Sequence, residues 1–408
     1  MLGIFDCMMK VLFLLLFSYQ GLYILISLFG KEKEKDYELK YHDFAVLICA
    51  RNEETVIGDL LESIDRQTYP KKHYRTFVMA DNCDDSTAEI AKGCGAVVYT
   101  RNDDEYVGKG YALESLLRNI KKDHGDVFDA FLVFDADNIL KDDYLEQMNI
   151  SYCQGNKIIA GYINSKNYGS NWISAGYSLY LLRKNRFLNN ARHLLGLSSA
   201  INGTGFLFDK ETVKEWPYHT LTEDIEFTVD QVCRHQTIAY CDKAIVYDEQ
   251  PTSFVQSVYQ RLRWSKGYLE VIWKYSTRLV KGICEGSFSC FDMLSTILSA
   301  YGLSVVSLIF DILMSSYLIV TKSDMIPFLS NLLEGLLKAY LCMYLIGLLT
   351  TITEWKRINT RLLNKIRYTF TFPLFMASYI PIAVYALFAD VSWKPIRHTV
   401  TITHENSL

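Results

Sequence analysis

Asp135 and Asp137 stand two residues apart directly after the apolar run Ala130 to Phe134. At the end of an extended strand this spacing sends both carboxylates to one side, leaving room for a hard divalent ion such as Mg2+ or Mn2+. Other polar groups follow apolar runs in the same way. Arg51, Asn52 and Glu53 come after Phe44 to Ala50, and Asp81 and Asn82 come after Thr76 to Ala80. A single Asp at a strand end ordinarily forms a turn or caps a helix. Four acids converging on one sheet edge are different, because they repel one another unless a cation or hydrogen-bond donors intervene. The triplet Gly108-Lys109-Gly110 opens a helical pattern, where Lys109 and free backbone amides suit a phosphate. Its spacing is not that of a Walker loop, which argues against an ATPase. Thr222, Glu223 and Asp224 begin a further helix. Thr followed by acids is an ordinary helix start, yet a carboxylate there also suits proton removal from a hydroxyl, and Asp224 is the candidate general base.

Gln260, Arg261, Leu262, Arg263 and Trp264 lie just before the C-terminal apolar region. On a helix, Val255, Val258, Tyr259 and Leu262 share one stripe, and Gln256, Gln260, Arg263, Trp264 and Gly267 the opposite one. The apolar stripe suits a helix lying in a membrane interface, with its Gln, Arg and Trp offered to the sheet edge. A plain amphipathic surface helix explains the periodicity but not an exposed Trp beside arginines. Asn202-Gly203-Thr204-Gly205 reads as a tight turn.

These residues need a scaffold. Short β-rich runs alternate with helical patterns from Phe44 onward, which predicts a sheet of largely parallel strands covered by helices. Ser86 to Glu89 has a capping-box pattern. Open α/β sheets bind ligands at the carboxyl ends of their strands, where the polar residues above fall.

The chain has 408 residues, half of them hydrophobic, and a formal charge of −4, so charge gives no reason to expect nucleic acid as a partner. The hydrophobic excess is uneven. Ile4 to Phe29 carries only Asp6 and Lys10 as charges, lacks the basic start of a signal peptide, and is long enough to span a bilayer. Leu294 to Val320, Leu332 to Thr353 and Tyr368 to Ala389 are long enough too. Lys31, Lys33 and Lys35 after the first span, and Lys356, Arg357, Arg361, Lys365 and Arg367 before the last, predict a cytoplasmic central domain. Asp311 and Glu334 sit within or beside these spans, as helix-end or partnered carboxylates. Simple alternation leaves the C-terminal tail on the outer side. Ten cysteines without a CxxC pair fit reduced thiols rather than a zinc knuckle or disulfide framework. The expected organisation is therefore a membrane helix over 1–30, a soluble α/β domain over 40–252, interface helices over 253–290, and a membrane region of about three helices over 291–408.

Asn52-Glu53, Asp81, Asp135-Ala136-Asp137, Thr222-Glu223-Asp224 and Gln260-Arg-Leu-Arg263-Trp264, in this order, resemble the membrane-integrated family 2 glycosyltransferases. That group contains cellulose, chitin, hyaluronan and poly-N-acetylglucosamine synthases. The resemblance covers Ala45 to Lys266 and implies a GT-A fold with a UDP-sugar donor. It implies that Ala50, Asn52, Glu53 and Asp81 bind the uridine, Lys109 the diphosphate, Asp135 the nucleotide and metal, and Asp137 the metal. It further implies Asp224 as base with Glu223 beside it, Gln260 holding the donor, and Arg263 neutralising the diphosphate with Arg261 in support. Trp264 would floor the acceptor subsite, with Gly203 and Thr204 in an acceptor-facing loop. Trp393 to His398 resembles a tail of some members; if it returns to the catalytic face, the count of spans changes by one. The implied activity is inverting transfer from UDP-GlcNAc or UDP-Glc to a growing β-linked polysaccharide at the cytoplasmic membrane face. The alternatives are single glycosylation of a membrane lipid and a silent subunit of an export complex.

Overall fold

A computed structural model describes residues 2–32, 36–321, 325–392, 398 and 400. Lys33 and Lys35, and Trp393 to Arg397 of the tail motif, lie outside the described residues. The strands are Phe44–Ala50 (β1), Tyr74–Asp81 (β2), Val97–Arg101 (β3), Ala130–Asp135 (β4), Ile139–Leu140 (β5), Ile158–Ser165 (β6), Phe206–Asp209 (β7) and Ile238–Asp248 (β8). They form one eight-stranded sheet in the order β3-β2-β1-β4-β7-β6-β8-β5.

The sequence runs explain this order. β1 and β4 are almost continuously apolar and buried on both faces, as central strands between two helical layers must be. β1 pairs in parallel with β2 and with β4, and β2 pairs in parallel with β3. The short β7 runs antiparallel to both β4 and β6, so β6 and its parallel partner β8 point the same way as β1 and β4. Ala50, Asp81, Asp135 and Asp248 consequently end their strands at one edge. Alternating strands and helices predicted parallel pairing, and the GT-A resemblance a mixed sheet; antiparallel β7 and β5 make the sheet mixed as that resemblance implies.

Helices Ile57–Asp65 (α2), Thr87–Gly93 (α3), Lys109–His124 (α4) and Tyr144–Cys153 (α5) cover the sheet. Ser86 does stand at the N-cap of α3, but its side chain makes no capping bond. Asp85 does that work, its Oδ1 accepting from the Thr87 backbone N at 3.0 Å. Trp172–Arg183 (α6) passes through a π-helical turn, Lys184–Asn189, into Asn190–Leu194 (α7). Glu223–Cys233 (α8) then leads through β8 to the 31-residue helix Phe254–Cys284 (α9).

The remaining, largely apolar helices are Leu2–Phe29 (α1), Phe288–Val320 (α10), Ile326–Thr353 (α11), Leu362–Ala377 (α12) and Tyr379–Ala386 (α13). Among the described residues three stretches are long and apolar enough to cross a bilayer: Val11–Phe29, Ile326–Thr353 and Leu362–Ala386. α10 is one helix of 33 residues whose described apolar stretches, Phe288–Leu298 and Ile309–Val320, are shorter. The last expected span falls on two helices. Its helix breaks between α12 and α13 at Ser378, and α12 is docked on the catalytic domain, with Tyr368 and Phe372 in the main core. A Cβ at Gly176 of α6 would collide with the Phe375 ring, so only glycine admits that contact. His398 then lies against Glu53 at the sheet edge, with Nδ1 2.9 Å from Oε1. His398 is thus on the catalytic side.

The expected apolar stripe of α9 is divided as well. Val255 and Tyr259 are exposed, whereas Leu262 is buried against Ile382, Ala386 and Ala389. A buried ion pair ties α1 and α10 to the α/β domain. Arg192 of α7 donates from Nε and Nη2 to Asp292 of α10 at 2.7 and 2.8 Å, and the hydroxyls of Tyr19 and Tyr23 of α1 donate to the same carboxylate at 2.9 Å. Asp292→Ala strands a fully buried guanidinium, and a loss of about 3–5 kcal/mol is expected. Thermal unfolding in detergent should show a clearly lower midpoint; an unchanged midpoint would mean the pair does not anchor α10.

Candidate active site

One cleft at the carboxyl edge of the sheet is lined by Ala50, Arg51, Glu53, Asp81, Lys109, Asp135, Asp137, Asp248, Gly203, Thr204, Glu223, Asp224, Gln260, Arg263, Trp264 and His398, with Tyr180, Lys184, Ile225 and Tyr268 among its further walls. Most of the residues singled out from sequence therefore meet. Asn52, Asn82 and Arg261 were singled out but do not line it. Asn52 has φ 57°, and its Oδ1 accepts from the Asp84 backbone N at 3.0 Å, so its side chain shapes the turn after β1. Arg261 is fully buried on the other face of α9, where it donates to Ser378 Oγ at 2.6 Å and stacks over the Phe375 and Tyr379 rings. It fastens α9 to α12 and α13 instead of reaching a donor.

At the β2 end, Asp81 is buried and accepts from Arg101 Nη1 at 2.7 Å. Burial pushes its carboxyl above the usual range, and the Arg101 contact works against that rise. Arg101 is held in turn by Asp103 and the Tyr106 carbonyl. Lys109, the first residue of α4, donates to Asp135 and to the Gly203 carbonyl, so the turn Gly203-Thr204 meets the strand ends through its backbone. Thr204 is occupied differently from the acceptor contact expected. Its hydroxyl donates to Asn138 Oδ1 and accepts from the Asp135 backbone N.

Asn138 Nδ2 continues this chain to Asp248 Oδ1 at 2.9 Å, and Gln250 Nε2 holds Asp248 Oδ2 at 2.7 Å. Carboxylate oxygens of Asp135, Asp137 and Asp248 all lie within 4.8 Å of one another. Burial first, then the charges of Asp137 and Asp135, push the Asp248 carboxyl well above its ordinary value. Three oxygen donors so crowded have the chemistry of a hard divalent-cation site. Asp248 was not singled out from sequence, although it too follows an apolar strand. The antiparallel insertion of β7 hides which way β8 runs.

The opposite wall is built by α8 and α9. Thr222 packs so closely on Gly267 that an added Cβ would stand 2.6 Å from Thr222 Cγ2, which brings the start of α8 against the Gln-Arg-Leu-Arg-Trp turn of α9. Burial, then the neighbouring Asp224 charge, pushes the Glu223 carboxyl up to about 7. Burial also raises Asp224, against the pull of Lys184, Lys109 and Arg263. Gln260 Oε1, Thr222 Oγ1 and Asn202 Oδ1 are buried without a hydrogen-bond partner among the described residues. Such orphaned acceptors around one cleft suit the polar groups of a ligand.

A sheet with a helix-borne acid facing a strand-end acidic cluster defines a glycosyltransferase of GT-A type, and comparison with known proteins agrees. A sequence profile described as "Glycosyltransferase like family 2" matches residues 42–267, more than half of the chain. The chain belongs to this family. It is 24% identical over 391 residues, 87% of the chain and 84% of the relative, to "Probable glycosyltransferase YdaM" of Bacillus subtilis. It is 26% identical over 273 residues to a beta-monoglucosyldiacylglycerol synthase of Trichormus variabilis, a match spanning 63% of the chain and 55% of that relative. The fold resembles that of a Pyrobaculum calidifontis mannosyltransferase solved in complex with GDP-Man and Mn2+, with a TM-score of 0.61 over 94% of this chain and 99% of that one, at 14% identity.

Removing the Arg101 fork tests the expectation that Asp81 meets a nucleotide. Arg101→Met deprives buried Asp81 of a charge-assisted bond worth about 1.5–3 kcal/mol, and UDP affinity measured by calorimetry is expected to fall about tenfold or more. Unchanged affinity would remove Asp81 from the nucleotide site.

Proposed function

We propose that this chain transfers a sugar, with inversion, from a UDP-sugar to a hydroxyl presented at the membrane face, and that the acceptor is a membrane lipid. The observation that carries the reaction is the pairing of the Asp135, Asp137 and Asp248 cluster with Asp224 across one cleft. Ala50, Glu53 and Asp81 would take the uridine end and Lys109 the diphosphate, with Gln260 on the donor. A Mg2+ or Mn2+ ion held by Asp135, Asp137 and Asp248 would supply positive charge to the diphosphate; the mannosyltransferase of similar fold was solved with Mn2+.

Arg263 of α9 would meet the negative charge that builds on the leaving diphosphate. Asp224 would take the acceptor proton as the hydroxyl oxygen attacks the anomeric carbon from the face opposite UDP. The carbon–oxygen bond to the acceptor forms as the bond to the phosphate oxygen breaks, so an α-linked donor gives a β-linked product. Glu223, raised beside it, would share the pair's charge and ease the burden on Asp224.

A lipid acceptor is supported by the glucosyldiacylglycerol synthases among the relatives and by the apolar walls Tyr180, Leu181, Ile225 and Tyr268. UDP-Glc is then the leading donor, with UDP-GlcNAc next. A growing β-linked glycan is the second reading, carried by the Trp264 ring in the cleft wall, a surface suited to stacking on a sugar. The apolar helices and the exposed Phe254, Val255 and Tyr259 of α9 support a multi-pass protein with its catalytic face in the cytoplasm and α9 at the interface.

Two measurements test this. Asp224→Asn should lower transfer about 100- to 10,000-fold with UDP affinity kept; because Asp224 must be ionised and burial raises it, wild-type kcat/KM should fall as pH drops through a value above the usual carboxylate range. Full activity in the variant would refute the base assignment. Membranes incubated with labelled UDP-Glc or UDP-GlcNAc should yield label in the organic-soluble lipid fraction. Label found only in a high-molecular-weight glycan would replace the lipid acceptor by the polymer.

A further inference from the structure

Lys184 is the first residue of the π-helical turn after α6, and its side chain is buried in the cleft wall together with Tyr180 and Leu181. Single π-helical turns inside α-helices occur frequently at functional sites. The ammonium lies 5.3 Å from the centre of the Tyr180 ring. No carboxylate among the described residues forms an ion pair with it, so a buried cation lines the same cleft as Asp224 without being spent on a direct contact.

The charged groups acting on Asp224 come from four elements. They are Lys184 from the π-helical turn, Lys109 from α4, Arg263 from α9, and the adjacent Glu223 on α8 itself; of the cations, Lys184 acts most strongly. Lys109 already serves Asp135 and the Gly203 carbonyl, and Arg263 donates to the Leu221 carbonyl at 2.9 Å. A donor diphosphate entering between them would draw both cations to its own oxygens. Lys184 is the cation left to the acid.

We propose that Lys184 is the positioning residue for the base: it remains the counter-charge of Asp224 once the donor is bound, and so fits the acceptor end for an uncharged hydroxyl. A phosphate acceptor would bring further negative charge against Asp224 and Glu223, whereas a neutral alcohol leaves Asp224 and Lys184 balanced. This rests on Asp224 being the base.

The test is the pH dependence of kcat/KM for Lys184→Met, Lys184→Gln and Lys184→Arg in the full-length detergent-solubilised enzyme, with UDP affinity as the check that each is folded. Loss of the ammonium should move the acid limb upward by about one pH unit, an about tenfold loss below the limb, while Lys184→Arg keeps the limb in place and UDP affinity stays unchanged in all three. Should Lys184→Met fail to bind UDP, Lys184→Gln carries the same reading. A folded Met or Gln variant whose limb has not moved overturns the proposal, even if its rate has fallen. Asp224→Asn separates the two ideas. Retained transfer there defeats the base assignment, whereas its loss together with an unmoved limb in Lys184→Met defeats the role of Lys184 alone.

Discussion

Like charges crowded at the end of a buried sheet are the constraint around which this molecule is arranged. Asp135, Asp137 and Asp248 bring carboxylate oxygens within 4.8 Å of one another, with Asp81 and Glu53 lining the same cleft. Left uncompensated, such a cluster opposes folding. The chain compensates it in part with Lys109 on Asp135, Arg101 on Asp81 and His398 on Glu53. The Thr204-Asn138 relay holds Asp248 in place but adds no charge. The remaining imbalance at the three Asp residues is the charge that the proposed cation, and through it a nucleotide diphosphate, would answer.

The second requirement is that an acid of opposite role face this edge without joining it. α8 and α9 provide that separation. The Thr222–Gly267 contact sets α8 against α9, and Arg261 fastens α9 to Ser378 beneath. Asp224 and Trp264 are thereby placed by helices that also pack on the apolar helices α10 and α13. Chemistry and acceptor access are linked by the same helix, since α9 carries Arg263 and Trp264 on its cleft side and the exposed Phe254, Val255 and Tyr259 elsewhere.

How far this was legible in sequence follows from the physics of each element. β1 and β4 are buried on both faces, so their unbroken apolar runs announced them, and acids after parallel strands had to share an edge. Asp248 escaped notice because its strand joins through antiparallel β7, a pairing that no local pattern specifies. Asn52 and Thr204 were legible as residues near the site, but the hydrogen bonds their side chains make to the backbone were not, since residue type does not specify a partner distant in sequence. Arg261 and Arg263 look alike in a motif, yet their separation on a helix sends one under α9 and the other into the cleft. The break at Ser378 was hidden because hydropathy cannot tell a lipid-facing apolar surface from one packed on α6. Lys184 gave no signal at all, being one lysine after an apolar helix until the π-helical turn aims it.

The central claim is that the three strand-end aspartates form the cation and diphosphate site. Diffraction from crystals grown with Mn2+ and UDP, recorded at the manganese absorption edge, tests it directly. One anomalous peak in coordination contact with Asp135, Asp137 and Asp248, beside the diphosphate, is the predicted result. Ordered UDP with no manganese peak among these carboxylates, or a peak elsewhere in the molecule, would contradict it.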